Sequence, residues 1–306
     1  MPAGQIDQDV FDRHRGLMFA VAYRLLGSAA DAEDVIQDAW FKWSAVDRQG
    51  VAEPKAYLAR IVSNLALDRL RSAQHRRETY VGPWLPEPIL TEGDAADDVE
   101  VAESVSMAML VVLESLSPLE RAVFVLKEVF DFSYAEIGAA VGRSEATVRQ
   151  AARRARANVE ARRPRFAADR ATTREVTERF HAAATGADIN ELMELLAPDV
   201  TLWTDGGGKV RQAMRPIQGA GKVAAWFAGT VRRPYEGVEL VDMTMSVAEI
   251  NGAPGVLITG AGRLIGALTI ELDADNRITA IHVVANPDKL RDIGAGRRHD
   301  IAAHRR

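Results

Sequence analysis

Residues Ser133–Arg156 read SYAEIGAAVGRSEATVRQAARRAR, and this stretch decides how the first half of the chain is built. Gly138, Gly142 and Val148 stand four and six residues apart. Two helices that cross at a short turn need a small residue at the crossing and a turn residue that tolerates positive φ. They also need an apolar residue that pins the second helix. These three positions supply that set. Ile137, Val141 and the methyl groups of Ala146 and Thr147 are expected to fill the interior beside them. Ser144 is expected to cap the second helix, but Thr147 rather than a glutamate follows three residues later, so the capping box is incomplete. That helix carries Arg149, Gln150, Arg153, Arg154 and Arg156, donors suited to phosphate oxygens and guanine edges. The reading is a helix-turn-helix that enters a DNA major groove. The plain alternative is a solvated basic helix, but spacing, turn and arginine face coincide here.

Around this motif a helical block runs from Val105 to Arg163, with breaks expected at Ser117-Pro118, Asp131-Phe132-Ser133 and Gly142-Arg143-Ser144. Before it lies Gly82-Pro83-Trp84-Leu85-Pro86-Glu87-Pro88, where three prolines in seven residues block helix and favour extended chain. An acidic stretch to Glu103 follows. The first eighty residues read as helices: Phe11–Leu26, then Ala32–Trp43 capped by Ser28 or Asp31, then Ala56–Arg71 after Pro54. Beyond Pro164 two helices, about 172–185 and 188–196, precede segments rich in β-formers. These are Val200–Trp203, Val210–Pro216, Val238–Ala248, Val256–Gly260, Leu264–Leu272 and Ile278–Val284, with a helix over Lys222–Val231. Helices followed by a run of strands imply an α+β domain with a curved antiparallel sheet.

The net charge of −5 hides a strong asymmetry. Residues 1–80 balance at 11 basic and 11 acidic, residues 81–105 hold 7 acidic and none basic, and residues 106–165 hold 10 basic against 7 acidic. The cysteine count of zero excludes disulfides, thiol nucleophiles, thiol redox sensing and thiolate zinc sites. No cofactor is expected. No apolar run approaches the roughly 20 residues of a bilayer span, and no basic-then-apolar segment opens the chain. A cytoplasmic protein without membrane contact is expected.

A second basic strip, Arg60, Arg69, Arg71, Arg76 and Arg77, closes the first block, with Asn64 and Asp68 one turn apart on the same helix. Taken alone it could equally be the outer face of an amphipathic helix.

Two motifs together resemble a family. Asp31-Ala-Glu-Asp-Val-Ile-Gln-Asp-Ala-Trp40 with Tyr57-Leu-Ala-Arg-Ile-Val-Ser-Asn-Leu-Ala-Leu-Asp-Arg-Leu-Arg71 resembles domain 2 of bacterial extracytoplasmic-function sigma factors. Leu116-Ser-Pro-Leu-Glu-Arg-Ala-Val-Phe-Val-Leu126 with the helix-turn-helix resembles their domain 4. Trp84-Leu-Pro-Glu-Pro88, Asp205-Gly-Gly-Gly-Lys209 and Asn286-Pro-Asp-Lys-Leu290 resemble signatures of the subgroup with a fused SnoaL-like, NTF2-like C-terminal domain. The resemblance implies a multidomain chain: domain 2 over residues 5–80, a proline-rich then acidic linker over 81–105, and domain 4 over 106–163. An α+β cone over 168–290 and a basic tail over 291–306 complete it.

The resemblance also implies roles. Asp31, Asp34, Gln37 and Trp40 would bind the β′ clamp helices of core RNA polymerase, and domain 4 the β flap. Asn64 and Asp68 would read the promoter −10 element as it melts, with Arg69, Arg71, Arg76 and Arg77 on the adjacent backbone. Ser144, Arg149, Gln150, Arg153, Arg154 and Arg156 would engage the −35 element. A splayed base needs a polar pocket and cationic backbone support, which agrees with this residue set. Mild net negativity would keep free-standing DNA affinity weak.

In the family reading the C-terminal domain replaces a separate anti-sigma factor and serves in responses to stress. Asn286, Pro287, Asp288, Lys289 and Leu290, with Asp205 and Lys209, are then expected to contact the linker at Trp84, Pro86 and Pro88, or domain 2. The plainer alternative is that Pro287 ends a strand and Asp288-Lys289-Leu290 begins a helix. NTF2-like cones also include enzymes, and the candidates of suitable type are Asp199, Asp205, His181, His282 and Arg263. Asp205-Gly206 reads more simply as a hairpin turn, Gly206–Lys209 lacks the spacing of a phosphate loop, and His282 lies among apolar strand residues. Whether a small ligand occupies the cone stays open. The competing whole-protein reading is a ligand-responsive regulator or enzyme whose cone is its active part.

Overall fold

Gly27 at φ +66° ends one helix and the Ser28 hydroxyl, accepting from Asp31 N, starts the next, so the N-terminal helices are separate rods that pack on one another. The structure is a computed structural model describing residues 3–46, 51, 53–91, 105–162, 168–186, 188–230 and 234–299; the side chains of 3–7, 73–78 and 240 lie outside it. The chain divides into two units. The first holds Met1–Glu78, Glu92–Arg163 and His299–Arg306, and the second Thr79–Thr91 with Pro164–Arg298.

In the first unit α1 (Ala3–Arg13), α2 (Arg15–Leu26), α3 (Ala29–Ser44) and α4 (Pro54–Glu78) form one bundle. The single helix expected over Phe11–Leu26 is broken at His14. Every residue of α2 from Leu17 to Leu26 is buried, because α2 is the central rod and not a one-faced surface helix. It carries even Arg24 inside, which donates to Ala20 O at 3.1 Å.

Next come α5 (Met107–Glu114), α6 (Pro118–Phe124) with a wide π-type turn at Val125–Val129, α7 (Tyr134–Val141) and α8 (Glu145–Arg162). Their breaks fall where the sequence places them. Ser117 with Glu120, and Ser133 with Glu136, each form a complete capping box. The two helical groups share one interior. Arg121 of α6 donates to Arg24 O at 3.0 Å and pairs with Glu114, and α4 packs on α7.

In the second unit α9 (Arg170–Thr185), α10 (Ile189–Leu195) and α11 (Ala220–Thr230) lie on a bent sheet. Its order is β3-β2-β7-β6-β5-β4-β1-β8, from β1 (Leu90–Thr91), β2 (Leu196–Asp205), β3 (Ile217–Gln218), β4 (Met243–Ile250), β5 (Ala253–Gly260), β6 (Arg263–Leu272), β7 (Ile278–Val284) and β8 (Arg298–His299). Phe180, Leu192, Val200, Leu202, Val223, Phe227, Leu268, Ile270 and Ile281 fill the core between helices and sheet. This is the α+β cone that the resemblance implies.

Three strand expectations are corrected. The sheet is not wholly antiparallel, because β7 returns beside β2 in the same direction. Val210–Pro216 is loop: the Thr204 hydroxyl bonds both Ala213 N and Ala213 O, so a side chain stands in for a ladder. The segment from Val238 becomes strand only at Met243, after a turn with Glu236 and Gly237 at positive φ.

Candidate nucleic-acid interface and linker clamp

The helix-turn-helix is tight because glycine permits it. A Cβ on Gly138 would lie 2.8 Å from Arg143 O, and Gly142 takes φ +65°. Ser144 Oγ accepts from Thr147 N at 3.3 Å, the half of the box the sequence allows. Ile137, Val141, Val148, Ala151 and Ala152 are buried. Ala146 is exposed and Thr147 only half-buried, which corrects the expectation that both fill the interior; they sit on the first turn of the second helix, before its first buried residue, Val148.

Exposed Ser144 stands just before α8, and the exposed face of α8 presents Arg149, Gln150, Arg153, Arg154 and Arg156. Three of its guanidinium groups are tied down. Arg149 pairs with Glu145 at 2.5 Å and lies 4.6 Å from the Tyr134 ring centre. Arg154 pairs with Glu120 at 2.6 Å, and Arg156 with Glu128 at 2.7 Å. Exposed pairs of this kind are worth at most about 1 kcal/mol, so a phosphate can replace the carboxylate.

On α3 and α4 the residues to which the resemblance gives two different partners hold one another. Arg69 Nε donates to Asp31 Oδ1 at 2.9 Å, and Arg69 also bonds Asp34. Trp40 packs edge-on against Phe11 with ring centres 5.0 Å apart, while Gln37 is exposed. Asn64 is half-buried, and exposed Asp68 pairs with Arg71 at 3.1 Å. The side chains of Arg76 and Arg77, and the acidic stretch 92–104, lie outside the described residues.

The second unit builds a different kind of site. Asp205, at the end of β2, is fully buried and is not the corner of a hairpin. Its carboxylate accepts from Tyr80 Oη at 2.6 Å, Leu85 N at 2.9 Å, Gly207 N at 3.0 Å and Lys289 Nζ at 2.7 Å. Burial, followed by the bond to this carboxylate, pushes the Tyr80 hydroxyl pKa upward. Asn286 Nδ2 donates to Tyr80 Oη at 2.8 Å. Lys289 also donates to Leu85 O, and its ammonium stands 4.0 Å from the Trp84 ring centre and 4.9 Å from that of Tyr80.

Glycine is required in the loop behind. A Cβ at Gly207 (φ +61°) would strike Asn286, and one at Gly208 (φ +71°) would strike Val81. Lys209 pairs with Asp288, which also takes Arg291 at 2.8 Å; Lys209 first, then Arg291, lowers the Asp288 pKa. Leu290 is buried, Pro287 half-buried, and the last helix, α12 (Arg291–Gly294), starts only after Leu290. Pro86 and Pro88 are buried with Leu85 and Ile89.

Further along, Asn251-Gly252 at the β4–β5 turn receives Ile89 N on the Asn251 side chain at 3.3 Å and gives Gly252 N to Thr91 Oγ1 at 3.1 Å. Arg298 donates to Thr91 O at 3.2 Å. Tyr80, Asn251 and Thr91 were missing from the sequence reading, which placed Arg298 only in a basic tail. Tyr80 carried one usable signal, an aromatic residue just before the proline run, and Asn251-Gly252 another, a type I′ turn dipeptide.

Of the residues of catalytic type, Asp199 is exposed, Asp205 is taken up by the linker, and His282 is buried 3.5 Å from Glu271. Among the described residues no cluster could hold a metal ion, and no helix is long and apolar enough to cross a membrane.

Comparison with known proteins identifies the helical part of the chain. Residues 10–76 match the Sigma-70 region 2 family and residues 106–159 the Sigma-70, region 4 family. The ECF RNA polymerase sigma factor SigJ of Mycobacterium tuberculosis is 40% identical over 293 residues, 92% of either chain. The probable ECF RNA polymerase sigma factor SigI of the same species is 31% identical over 280 residues, 90% of this chain and 92% of its own. The crystal structure of M. tuberculosis SigJ superposes with a TM-score of 0.72 at 36% identity, covering 94% of this chain and 97% of that one. With both sigma-70 regions in order and a relative this similar from end to end, the chain belongs to the ECF RNA polymerase sigma factors, which direct core polymerase to its promoters.

Proposed function

We propose that this sigma factor works in the cytoplasm under the control of its own C-terminal domain, which grips the segment Tyr80–Thr91 and so restrains how the two DNA-reading domains are tethered. The observation that carries this is the buried Asp205 carboxylate, which takes bonds from Tyr80 and Leu85 on one side and from Lys289 on the other. A clamp so built needs no separate anti-sigma factor. Asp31, Asp34, Gln37 and Trp40 dock on the β′ clamp helices once Arg69 turns from the carboxylates to the −10 backbone. Asn64 and Asp68 read the melted −10 strand, and Arg149, Gln150, Arg153, Arg154 and Arg156 exchange their carboxylates for −35 phosphates and base edges.

The same reading makes the chain no enzyme. The apolar cavity of the cone is lined by none of Asp199, Asp205, His181, His282 or Arg263. Run-off transcription with core polymerase, using chains cut just before and just after Asn286–Leu290, tests the clamp. Output should change when Asn286–Leu290 is lost and stay at the full-length level when it is kept; equal output from all chains would sink the regulatory reading.

A further inference from the structure

The cone encloses a cavity of about 110 Å³ walled by Phe180, Trp226, Phe227, Met245, Leu268 and Val283. Elsewhere an apolar cavity of about 150 Å³ takes up benzene, so one aromatic ring is the scale of occupant that fits. Three polar side chains interrupt the wall: Gln212, Thr230 and Tyr235. The Thr230 hydroxyl already donates to Phe227 O at 2.7 Å. Gln212 Nε2 donates to Tyr235 Oη at 3.0 Å, but Gln212 Oε1 is buried with no partner. An unpaired buried carbonyl is a standing cost that an incoming donor relieves.

We propose that this cavity binds a small hydroxylated aromatic molecule, with its ring on the apolar wall and its hydroxyl on Gln212. A hydroxyl suits both orientations of the amide, since turning the amide over leaves Nε2 unpaired in place of Oε1, and a hydroxyl both donates and accepts. Charged ligands are disfavoured. Among the described residues no Lys, Arg, His, Asp or Glu lines the cavity, so a carboxylate or an amine would find no counter-charge on that wall.

The site adjoins the linker clamp. A Cβ on Gly206 would meet Gln212 Cγ at 2.9 Å, and Ala285, on the cavity wall, donates to Asp205 O at 2.8 Å. An occupant therefore bears on the end of β2, where Asp205 stands, and on the loop that follows it. That consequence rests on the clamp reading above, whereas binding itself does not.

Calorimetric titration of the full chain with phenol and with toluene tests the site apart from transcription. Phenol should bind about tenfold more tightly than toluene, the ratio of one hydrogen bond. Gln212→Leu should bring the two within about twofold. Methyl NMR should show the Met243 and Met245 signals moving with phenol, because both residues line the cavity. No binding at millimolar ligand, equal affinity for phenol and toluene in the wild type, or shifts confined to other methionines would overturn the proposal. The wild-type comparison stands even if the variant does not fold.

Discussion

Lys289 reaches Asp205 at 2.7 Å, and of the two Asp205 is fully enclosed while the Lys289 side chain keeps 12% of its surface in water. The carboxylate is the fixed member of the pair and the ammonium the one that can leave. Lys289 lies over Trp84 and bonds Leu85 O, so the mobile partner is also the one that covers the linker.

Asp205→Asn should therefore harm more than Lys289→Met. The first leaves a partly buried ammonium facing a neutral amide and sets an NH2 group against two of the four donors, at a cost of about 3 kcal/mol. The second leaves the carboxylate three donors, at about half that cost. Urea unfolding of the full chain, followed by tryptophan fluorescence, gives both values. Limited proteolysis should cut Asp205→Asn first near Val81–Trp84.

Glu271 and His282 give a pH test. Burial raises Glu271 to about 7 and lowers His282 to about 4, from ordinary values of 4.5 and 6.5. Near pH 5.5 the folded pair holds one proton, on Glu271, and the unfolded chain also holds one, on His282, so stability is flat there. Glu271→Gln removes the first proton and leaves the second. A histidine held below its unfolded pKa contributes stability that is present above pH 6.5 and lost as pH falls towards 4. Between pH 7 and pH 5 this variant should lose about 2 kcal/mol more than the wild type. Urea midpoints at the two pH values read the difference, and parallel losses would refute the assignment.

Gly138→Ala opposes two effects. Helix propensity favours alanine by about 1 kcal/mol. The new methyl would sit 2.8 Å from the Arg143 carbonyl oxygen, a backbone atom with no rotamer to escape through. Overlap of this kind costs about 1–3 kcal/mol, so overlap wins. The variant should be less stable and should lose −35 duplex affinity in gel-shift assays with core polymerase, while Ala139→Ser on the exposed face should match the wild type.

Glu114→Gln should destabilise the first unit by leaving a buried guanidinium without its carboxylate. Arg121 is 1% exposed, and Glu114 supplies a carboxylate to it. Removing that charge costs about 3 kcal/mol. Urea unfolding should show it, and Arg121→Met should recover much of the loss, because it removes the buried charge as well.

The features legible in the sequence were those set by neighbours a few residues apart. Ser117-Pro118 with Glu120, Ser133 with Glu136, and Gly138 with Gly142 each declare a helix end or a crossing through local geometry. Asn286–Leu290, Trp84–Pro88 and Asp205–Lys209 were legible as motifs that meet, but the complete burial of Asp205 was not. Asp205-Gly206 has the local chemistry of a turn, and only a partner 125 residues away, Tyr80, makes it a buried acceptor. The parallel pairing of β2 with β7 was hidden for the same reason, since direction in a sheet is fixed by the path between strands and not by alternation within them. Ala146 misled because an alanine methyl reads as core wherever it stands.

Because the grip on Leu85 is completed by Lys289, synthesis order matters. Ribosomes add about 5–20 residues each second, so roughly 10–40 s separate the appearance of the linker from that of its last holder. For the last roughly 6–25 s of it, after residue 163 has been added, both DNA-reading regions have been made and the grip on the chain between them is still incomplete. On the clamp reading, every newborn molecule passes through an unrestrained youth whose length follows the rate of translation.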